Sequence, residues 1–202
     1  MPGGWITLGI IGITALVSWM AFSNERLLQR LLLWPPAVSR RREYHRFVTY
    51  GLVHGDFAHL LFNMITLFFF GRLMEGFYAD YLGPFGFAWF YLSALGVSAL
   101  PSYLKHRHDP NYATLGASGA VSAVLFAFIL LQPWDLIYVY VIPVPAIVYA
   151  AFYVGYSIWA ERQQADRINH SAHLAGAAYG VLFTLLMEPR VLQHFLTSLL
   201  NP

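Results

Sequence analysis

The stretch GASGAVSAVLFAFILL at residues 116–131 places a serine and several small residues at the start of an apolar run that carries no charge. A second run, AHLAGAAYGVLFTLLM at residues 172–187, places a histidine at the corresponding end. If both runs form membrane helices that begin on the same side, Ser118 and His173 lie at matching depths. A hydroxyl and an imidazole at one depth are the parts of a membrane-embedded nucleophile and its base.

The composition of the chain indicates a membrane protein. Hydrophobic residues make up 58% of the 202 residues, charged residues make up 11%, and the mean hydropathy is +0.53. Because so few polar residues could not cover a water-facing surface, lipid is expected to be the main solvent. We predict a single membrane domain over residues 1–202, with lipids as neighbours and no nucleic-acid partner. Cysteine is absent, which excludes disulfides and thiolate chemistry.

Six apolar segments have roughly the 20 residues that a spanning helix needs. They are residues 5–22, 55–74, 84–103, 115–132, 137–159 and 171–187. Because backbone amides in lipid must be satisfied within the segment, we predict an all-α bundle of six transmembrane helices. The first segment is expected to be a retained helix, since no positively charged region precedes it and no cleavage site follows it.

The connection over residues 23–54 is predicted to be long, partly helical and partly embedded. Residues 24–34 carry leucines at helical spacing with Arg26 and Arg30 off that stripe, a pattern typical of an interfacial helix. Pro35 and Pro36 are expected to end this helix. The tail over residues 188–202 is expected to form a short interfacial helix.

Polar side chains cluster near the start of the second segment. His59 and Asn63 are four residues apart and therefore share a helix face, and His54 precedes them. Counting crossings puts the starts of the second, fourth and sixth segments on one side, so these residues share a level with Ser118 and His173. One such residue alone is as often a polar contact between helices as part of a site. The shared level favours a site.

Small residues line one face of the fourth segment and one face of the sixth. The glycines concerned are Gly116, Gly119, Gly176 and Gly180. Such spacing usually reflects packing alone, but here a close approach would also bring the Ser118 hydroxyl to the His173 ring. General-base activation of a serine requires that contact. Since the membrane segments carry no acidic residue near His173, the predicted site is a Ser-His dyad.

An ordered set of motifs runs through residues 40–185. Its members are Glu43, Arg46, His54, His59, Asn63, Glu75, residues 116–119, residues 172–176 and Gly180. In this combination the chain resembles the rhomboid family of intramembrane serine proteases. The resemblance implies a rhomboid-like bundle with a rhomboid-like core over residues 40–185, transmembrane proteins as substrates, and no metal or other cofactor.

The same resemblance implies a role for each site residue. Ser118 would be the nucleophile and His173 the base. His59 and Asn63 would form the oxyanion hole with the Ser118 amide, and His54 would be structural. Gly116, Gly119, Ser122, Gly176 and Gly180 would support them.

Two positions depart from the family pattern. Ser122 stands four residues after Ser118, where the best-known bacterial members have a tyrosine that packs on the histidine ring. An aromatic side chain from another helix, or a hydrogen bond from Ser122, is expected to substitute. His45 stands where a tryptophan before Arg46 is usual. The aromatic residues near the end of the fifth segment, Phe152, Tyr153, Tyr156 and Trp159, are interpreted as an interfacial belt rather than a gate.

Other classes of membrane protein fit less well. A zinc protease is excluded because His54 and His59 lie about 140° apart around a helix with no glutamate between them. The aspartates fall in loops or at helix ends, where they cannot form an aspartyl intramembrane protease; they are Asp56, Asp80, Asp109, Asp135 and Asp166. A transporter would carry polar residues at the midplane. The remaining alternative is a catalytically inactive relative that binds transmembrane helices, against which the intact Ser118 and His173 argue.

Two arguments about orientation conflict. The resemblance implies a bacterial inner-membrane protein whose site faces the extracytoplasmic side. The positive-inside rule favours the reverse, because ten basic residues lie on the site's side and only Arg72 and Arg190 lie on the other. The ten are Arg26, Arg30, Arg40, Arg41, Arg42, Arg46, Lys105, Arg107, Arg162 and Arg167. Because the whole set of motifs matches, we expect the site to face the extracytoplasmic side.

Overall fold

The computed structural model describes residues 4–139, 141–163 and 168–201, and the predicted loop residues Asp166 and Arg167 lie outside them. The described chain is mainly helical. Its helices are α1 (Trp5–Phe22), α2 (Glu25–Leu31), α3 (Pro35–Arg41), α4 (Arg46–Thr49), α5 (Phe57–Thr66), α6 (Arg72–Leu82), α7 (Gly86–His106), α8 (Ser118–Leu131), α9 (Ala146–Gln163), α10 (His170–Met187) and α11 (Arg190–Leu200). A π-helical turn, Leu67–Gly71, joins α5 to α6 without a break.

Three of these helices are long and apolar enough to cross a membrane. They are α1, the continuous helix Phe57–Leu82 and α7. The α8 helix is also apolar but has only 14 residues, a length of about 21 Å, which is less than the roughly 30 Å of hydrocarbon in a bilayer. The chain is therefore an integral membrane protein, and three of the six predicted segments meet the requirements of a span by length and composition.

The prediction of a helix beginning at residue 137 is wrong. Strands β1 (Leu136–Val139) and β2 (Ile142–Pro145) form an antiparallel pair, and α9 begins only at Ala146. Pro143 and Pro145 lack the N–H that a helix interior needs. They alternate with Ile142 and Val144, so an edge strand accommodates them at positions that donate no ladder hydrogen bond. Apart from this short hairpin the described chain is helical, which agrees with the predicted all-α membrane fold.

The first connection is helical in part, as predicted, but its prolines act differently from the prediction. The α2 helix already ends at Leu31, and Pro35 and Pro36 are the first residues of α3. Proline is accepted there because the first amides of a helix have no intrahelical acceptor.

Buried polar contacts fasten this connection to the bundle. Arg46, only 6% exposed, donates to the Glu43 carboxylate and to the carbonyls of Gln29 (2.9 Å) and Leu32 (2.6 Å). The Arg46 hydrogen bond lowers the pKa of Glu43. Leu33 and Thr114 exchange backbone hydrogen bonds of 2.9 and 3.0 Å. The connection thus holds the segment that leads into α8.

The core of the molecule is centred on α8, in which every residue from Gly119 to Leu130 is buried. Its backbone touches that of α10. A Cβ atom at Gly176 would overlap the Gly119 carbonyl oxygen, and one at Gly180 would overlap the Ala123 carbonyl oxygen. The predicted close approach of two small-residue faces is confirmed, because only glycine allows backbones this near to each other.

Buried Glu75 on α6 binds the start of α1. Its carboxylate accepts hydrogen bonds from the amides of Ile6 (3.1 Å) and Thr7 (2.7 Å) and from the Thr7 hydroxyl (2.7 Å). First-turn amides of a helix lack intrahelical acceptors, and a carboxylate also complements the helix dipole. This contact fixes α1 against the bundle, where its Ser18 reaches the site.

Candidate active site

The predicted juxtaposition of Ser118 and His173 is present in the structure. Ser118 is the first residue of α8, and its Oγ lies 2.6 Å from His173 Nε2 in the first turn of α10. Both residues are half-buried. A hydroxyl at this distance from an imidazole nitrogen can pass its proton to it.

Gly116 determines how the chain enters α8. Its φ of +110° lies in a region that side chains rarely adopt, and a Cβ there would come within 2.6 Å of the His59 ring. The Gly116 amide donates to the Tyr50 carbonyl at 2.9 Å. Glycine is therefore required here both by the backbone conformation and by the space that His59 occupies.

His54 lies in the segment just before α5, next to the residues that lead into α8, and is 1% exposed. Its Nε2 accepts a hydrogen bond from the Ala117 amide at 3.3 Å, and its Nδ1 lies 2.9 Å from the Ser18 hydroxyl. Since Ser18 donates its single proton to the Leu52 carbonyl, Nδ1 must carry the histidine proton. Burial lowers the pKa of His54 to about 3, so the ring stays neutral and supports the amide just before Ser118.

An aromatic side chain from another helix packs beside His173. The Tyr153 ring on α9 is stacked on the His173 ring, with centroids 6.1 Å apart and planes 25° apart. The Tyr153 hydroxyl lies 2.6 Å from Ser122 Oγ, and Ser122 donates to the Ser118 carbonyl at 2.8 Å. The first substitute that the sequence suggested for the missing tyrosine, an aromatic side chain from another helix, therefore occurs, and Ser122 contacts its hydroxyl.

This position of Tyr153 corrects its interpretation as part of an interfacial belt. The ring is half-buried and lines the site, whereas Phe152, Tyr156 and Trp159 are exposed. Helical spacing explains the exposure of Phe152, which lies about 100° from Tyr153 around the helix. The Ser122 position indicated that some aromatic residue was needed, but nothing local identified which one.

His59 and Asn63 lie on one face of α5, as predicted, and line the same cavity as Ser118 and His173. Asn63 is 6% exposed, and its side-chain amide donates to the His59 carbonyl at 2.9 Å. A second N–H on that amide leaves capacity for another acceptor. Their assignment to an oxyanion hole remains a prediction.

Asn169 is a site residue that the sequence reasoning missed. Its Oδ1 accepts from the Ala172 amide at 3.1 Å and so caps α10, the helix that carries His173. Its Nδ2 lies 2.7 Å from Ser102 Oγ and 3.2 Å from Thr114 Oγ1. An asparagine just before a predicted helix is the signal that could have identified it.

The cavity has a volume of about 850 Å³ and lies between α5, α8, α9 and α10. Polar residues such as Asn63 and Ser118 and apolar residues such as Phe62 and Leu125 give it a mixed lining. A neighbouring, more polar cavity of about 420 Å³ shares Thr114 and Asn169 with it. Over the described ranges, no group of three histidine or acidic side chains is placed to hold a metal ion.

Comparisons with known proteins identify the family of the chain. A family model described as a rhomboid domain matches residues 41–190. The chain is 31% identical to the mitochondrial RHOMBOID-like protein 12 of Arabidopsis thaliana, over 88% of this chain and 56% of that protein. It is 34% identical to the mitochondrial Rhomboid protein 1 of Saccharomyces cerevisiae, over 64% of this chain and 38% of that protein.

A bacterial relative also matches part of the chain. The rhomboid protease GlpG of Photorhabdus laumondii is 33% identical over 36% of this chain and 26% of that protein. Matches to the two mitochondrial relatives cover 56% and 38% of their length, so the chain spans about half of them or less.

Proposed function

We propose that the chain, which belongs to the rhomboid family, is an intramembrane serine endopeptidase that cleaves transmembrane segments of other membrane proteins. The observation that carries the proposal is the 2.6 Å contact between Ser118 Oγ and His173 Nε2. A serine hydroxyl is a poor nucleophile unless a base within hydrogen-bond reach takes its proton. The contact supplies that base inside a cavity bounded by membrane helices.

The proposed reaction is an acyl transfer followed by hydrolysis. Ser118 Oγ attacks the scissile carbonyl while His173 Nε2 takes the hydroxyl proton and then returns it to the leaving amine. Water, activated by the same imidazole, releases the acyl group from Ser118. No metal or organic cofactor takes part in these steps.

Charge on the tetrahedral oxyanion needs donors that are already in place. Ser118 is the first residue of α8, so its amide has no intrahelical acceptor and lies at the positive end of the helix dipole. His59 and Asn63 line the same cavity from α5. We assign the oxyanion hole to these three groups, and His54 to the support of the loop before Ser118.

The substrate is proposed to be a transmembrane helix that unwinds locally. A helical peptide bond is shielded and hydrogen-bonded, so residues that weaken a helix near the cleavage point should be favoured. The mixed lining of the cavity suits a segment that presents both a polar backbone and apolar side chains. Six spanning helices in a single membrane domain over residues 1–202 would enclose the site.

Chemical labelling tests the nucleophile directly. A fluorophosphonate should label the wild-type protein at Ser118 but should label neither Ser118→Ala nor His173→Ala. A metal chelator should leave cleavage of a single-span substrate unchanged. If a chelator abolished cleavage and added zinc restored it, the serine mechanism would be wrong. Wild-type protein that is folded but takes no label would favour the alternative, an inactive rhomboid-like protein that binds transmembrane helices.

We further propose a multi-pass protein of a bacterial inner membrane with the site opening to the extracytoplasmic side. Part of the opposing charge excess has structural explanations: Arg46 is buried in hydrogen bonds within the first connection, and Arg26 and Arg30 lie on α2. A basic side chain beside an interfacial helix can reach lipid headgroups from either side. These residues therefore carry little topological information.

Cysteine accessibility decides the orientation in a chain that has no native cysteine. Cysteines at Arg41 and at Asp80 are probed separately with a membrane-impermeant maleimide on intact cells. Labelling at position 41 but not at position 80 is expected. The opposite pattern would place the site on the cytoplasmic side and would show that the positive-inside rule governs this chain.

A further inference from the structure

Contacts around His173 form a closed circuit that includes α9. The Ser118 carbonyl accepts from Ser122, Ser122 Oγ lies 2.6 Å from the Tyr153 hydroxyl, and the Tyr153 ring is stacked on His173. The circuit closes where His173 meets Ser118 Oγ. Because Ser122 uses its single proton on the Ser118 carbonyl, the Tyr153 hydroxyl must donate to Ser122.

The buried residues of α9 are all small: they are Ala146, Ala150, Ser157 and Ala160. Tyr153 is a larger, half-buried residue of the same helix. Its ring contacts Phe126 on α8, with centroids 5.4 Å apart, and His173 on α10. It joins α9 to both helices of the dyad.

The cavity lies on the open side of this contact. Tyr149 and Tyr153 of α9 line this cavity together with Ser118, Ser122 and His173. The Tyr153 side chain therefore lies in the wall of the cavity that holds the dyad.

Resting on the proposed protease function, we propose that Tyr153 is a positioning residue that orients the His173 imidazole from α9. An imidazole serves as a base only when Nε2 points at the hydroxyl, and a stacked ring restricts its rotation. The Ser122 hydroxyl holds the tyrosine ring in place. The orientation of the base therefore depends on the contact that Tyr153 makes between α9, α8 and α10.

Substitutions at Tyr153 separate the ring from its hydroxyl. Tyr153→Leu should lower the rate of fluorophosphonate labelling at Ser118 roughly tenfold, because the stacked ring is lost. Tyr153→Phe keeps the ring and should label within about threefold of wild type, since only one hydrogen bond is lost. The small probe does not require a substrate helix to enter, so its rate reports the dyad alone.

Phe152→Leu is the matched control. It shortens an aromatic side chain on the same helix, but Phe152 is 74% exposed and lies outside the cavity lining. It should label at the wild-type rate. Equal rates for Tyr153→Leu and this control, in protein with an unchanged unfolding midpoint, would overturn the proposal, as would a Tyr153→Phe rate as low as that of Tyr153→Leu.

A double-mutant cycle tests the link to α8. Tyr153→Phe removes the hydrogen bond between Tyr153 and Ser122, and Ser122→Ala removes that bond together with the one to the Ser118 carbonyl. The double variant should therefore be no slower than Ser122→Ala alone. Two additive losses would mean that the two hydroxyls do not act on each other. This cycle keeps the test valid if Tyr153→Leu does not fold.

Steady-state kinetics and pH dependence distinguish a residue that orients His173 from one that only maintains the fold. Tyr153→Leu should lower kcat on a transmembrane substrate with little change in KM, and should move the acidic limb of the kcat/KM profile, which reports protonation of the base. A loss confined to KM, with the profile unmoved, would assign Tyr153 to substrate binding instead. If wild-type protein were not labelled at Ser118 at all, the proposed function would fail rather than this inference.

Discussion

The helix α8 meets its two neighbours α10 and α9 in different ways. Against α10 the contact is made by backbone, since Cβ atoms at Gly176 and Gly180 would overlap carbonyl oxygens of α8. Against α9 it is made by long side chains, with Tyr153 reaching across to Ser122 at the edge of a cavity of about 850 Å³. Backbone contact leaves no freedom of adjustment, whereas a side-chain contact can be broken and remade.

This difference separates the two requirements of the site. The depth and distance of Ser118 and His173 follow from the rigid α8–α10 contact, because each residue lies in the first turn of its helix. The orientation of the imidazole and the width of the cavity follow from the adjustable α8–α9 contact. A protease that admits a helix from the membrane would need both properties, which here belong to two different contacts of α8.

The largest effect is expected from substitutions that remove the reacting groups but leave the α8–α10 and α8–α9 contacts intact. Ser118→Ala and His173→Ala should each reduce cleavage of a transmembrane substrate by about 10⁴- to 10⁶-fold, because members of such a unit fail together. Initial rates in proteoliposomes measure the loss, and an unchanged unfolding midpoint serves as the control. Cleavage by Ser118→Ala at more than about a hundredth of the wild-type rate would mean that another group is the nucleophile.

Adding one methyl group inside the α8–α10 contact and one at an open position on α9 sharpens the comparison. Gly176→Ala should lower the free energy of unfolding by about 3 kcal/mol or more, since its Cβ meets the Gly119 backbone, which cannot move aside. Gly155→Ala on α9 is the matched change, because nothing lies within 4 Å of the added Cβ. It should be neutral or stabilise by up to about 1 kcal/mol.

Denaturation of both variants in the same detergent gives the two values. The proposed rigidity of the α8–α10 contact would be disproved by equal stabilities for Gly176→Ala and Gly155→Ala. A stable but inactive Gly176→Ala would instead show that the helices can separate without unfolding, at the expense of the dyad.

The proposed oxyanion donors on α5 line the same cavity as Tyr153 of α9. His59→Ala and Asn63→Ala should each lower kcat roughly 10²-fold, less than loss of Ser118, because the Ser118 amide remains as a donor. Turnover in proteoliposomes measures the effect, with Leu61→Ala as the control, since Leu61 is exposed on the same helix and lies outside the cavity lining. Full activity in both variants would return His59 and Asn63 to the role of polar contacts between helices.

The smallest expected effect lies outside both contacts, in the first connection. Arg46 lowers the pKa of Glu43, so the ionised carboxylate stabilises the fold at neutral pH, and this stabilisation is lost as the pH falls below the ordinary value of 4.5. Glu43→Gln should therefore cost on the order of 1 kcal/mol at pH 7 and nothing at acidic pH. Unfolding midpoints measured at both pH values test this, and a deficit that persisted in acid would exclude ionisation as the cause.

Features that depend on regular spacing were predictable from the sequence. The bounds predicted for the first helix, 5–22, agree with those of α1, and the glycine faces of α8 and α10 meet as expected. Spacing failed where proline intervened, because the apolar run at residues 137–145 reads equally as a helix or as a strand until Pro143 and Pro145 are taken into account.

The sequence by itself determined that this protein lies in lipid, that two helices can approach through glycine, and that a serine and a histidine begin them. Each of these follows from composition or from the period of a helix, which are local properties. Only the tertiary structure decided that Tyr153 supports His173 and that Asn169 ties α10 to α7. Those contacts join residues far apart in the chain, and their geometry exists only after the helices have packed together.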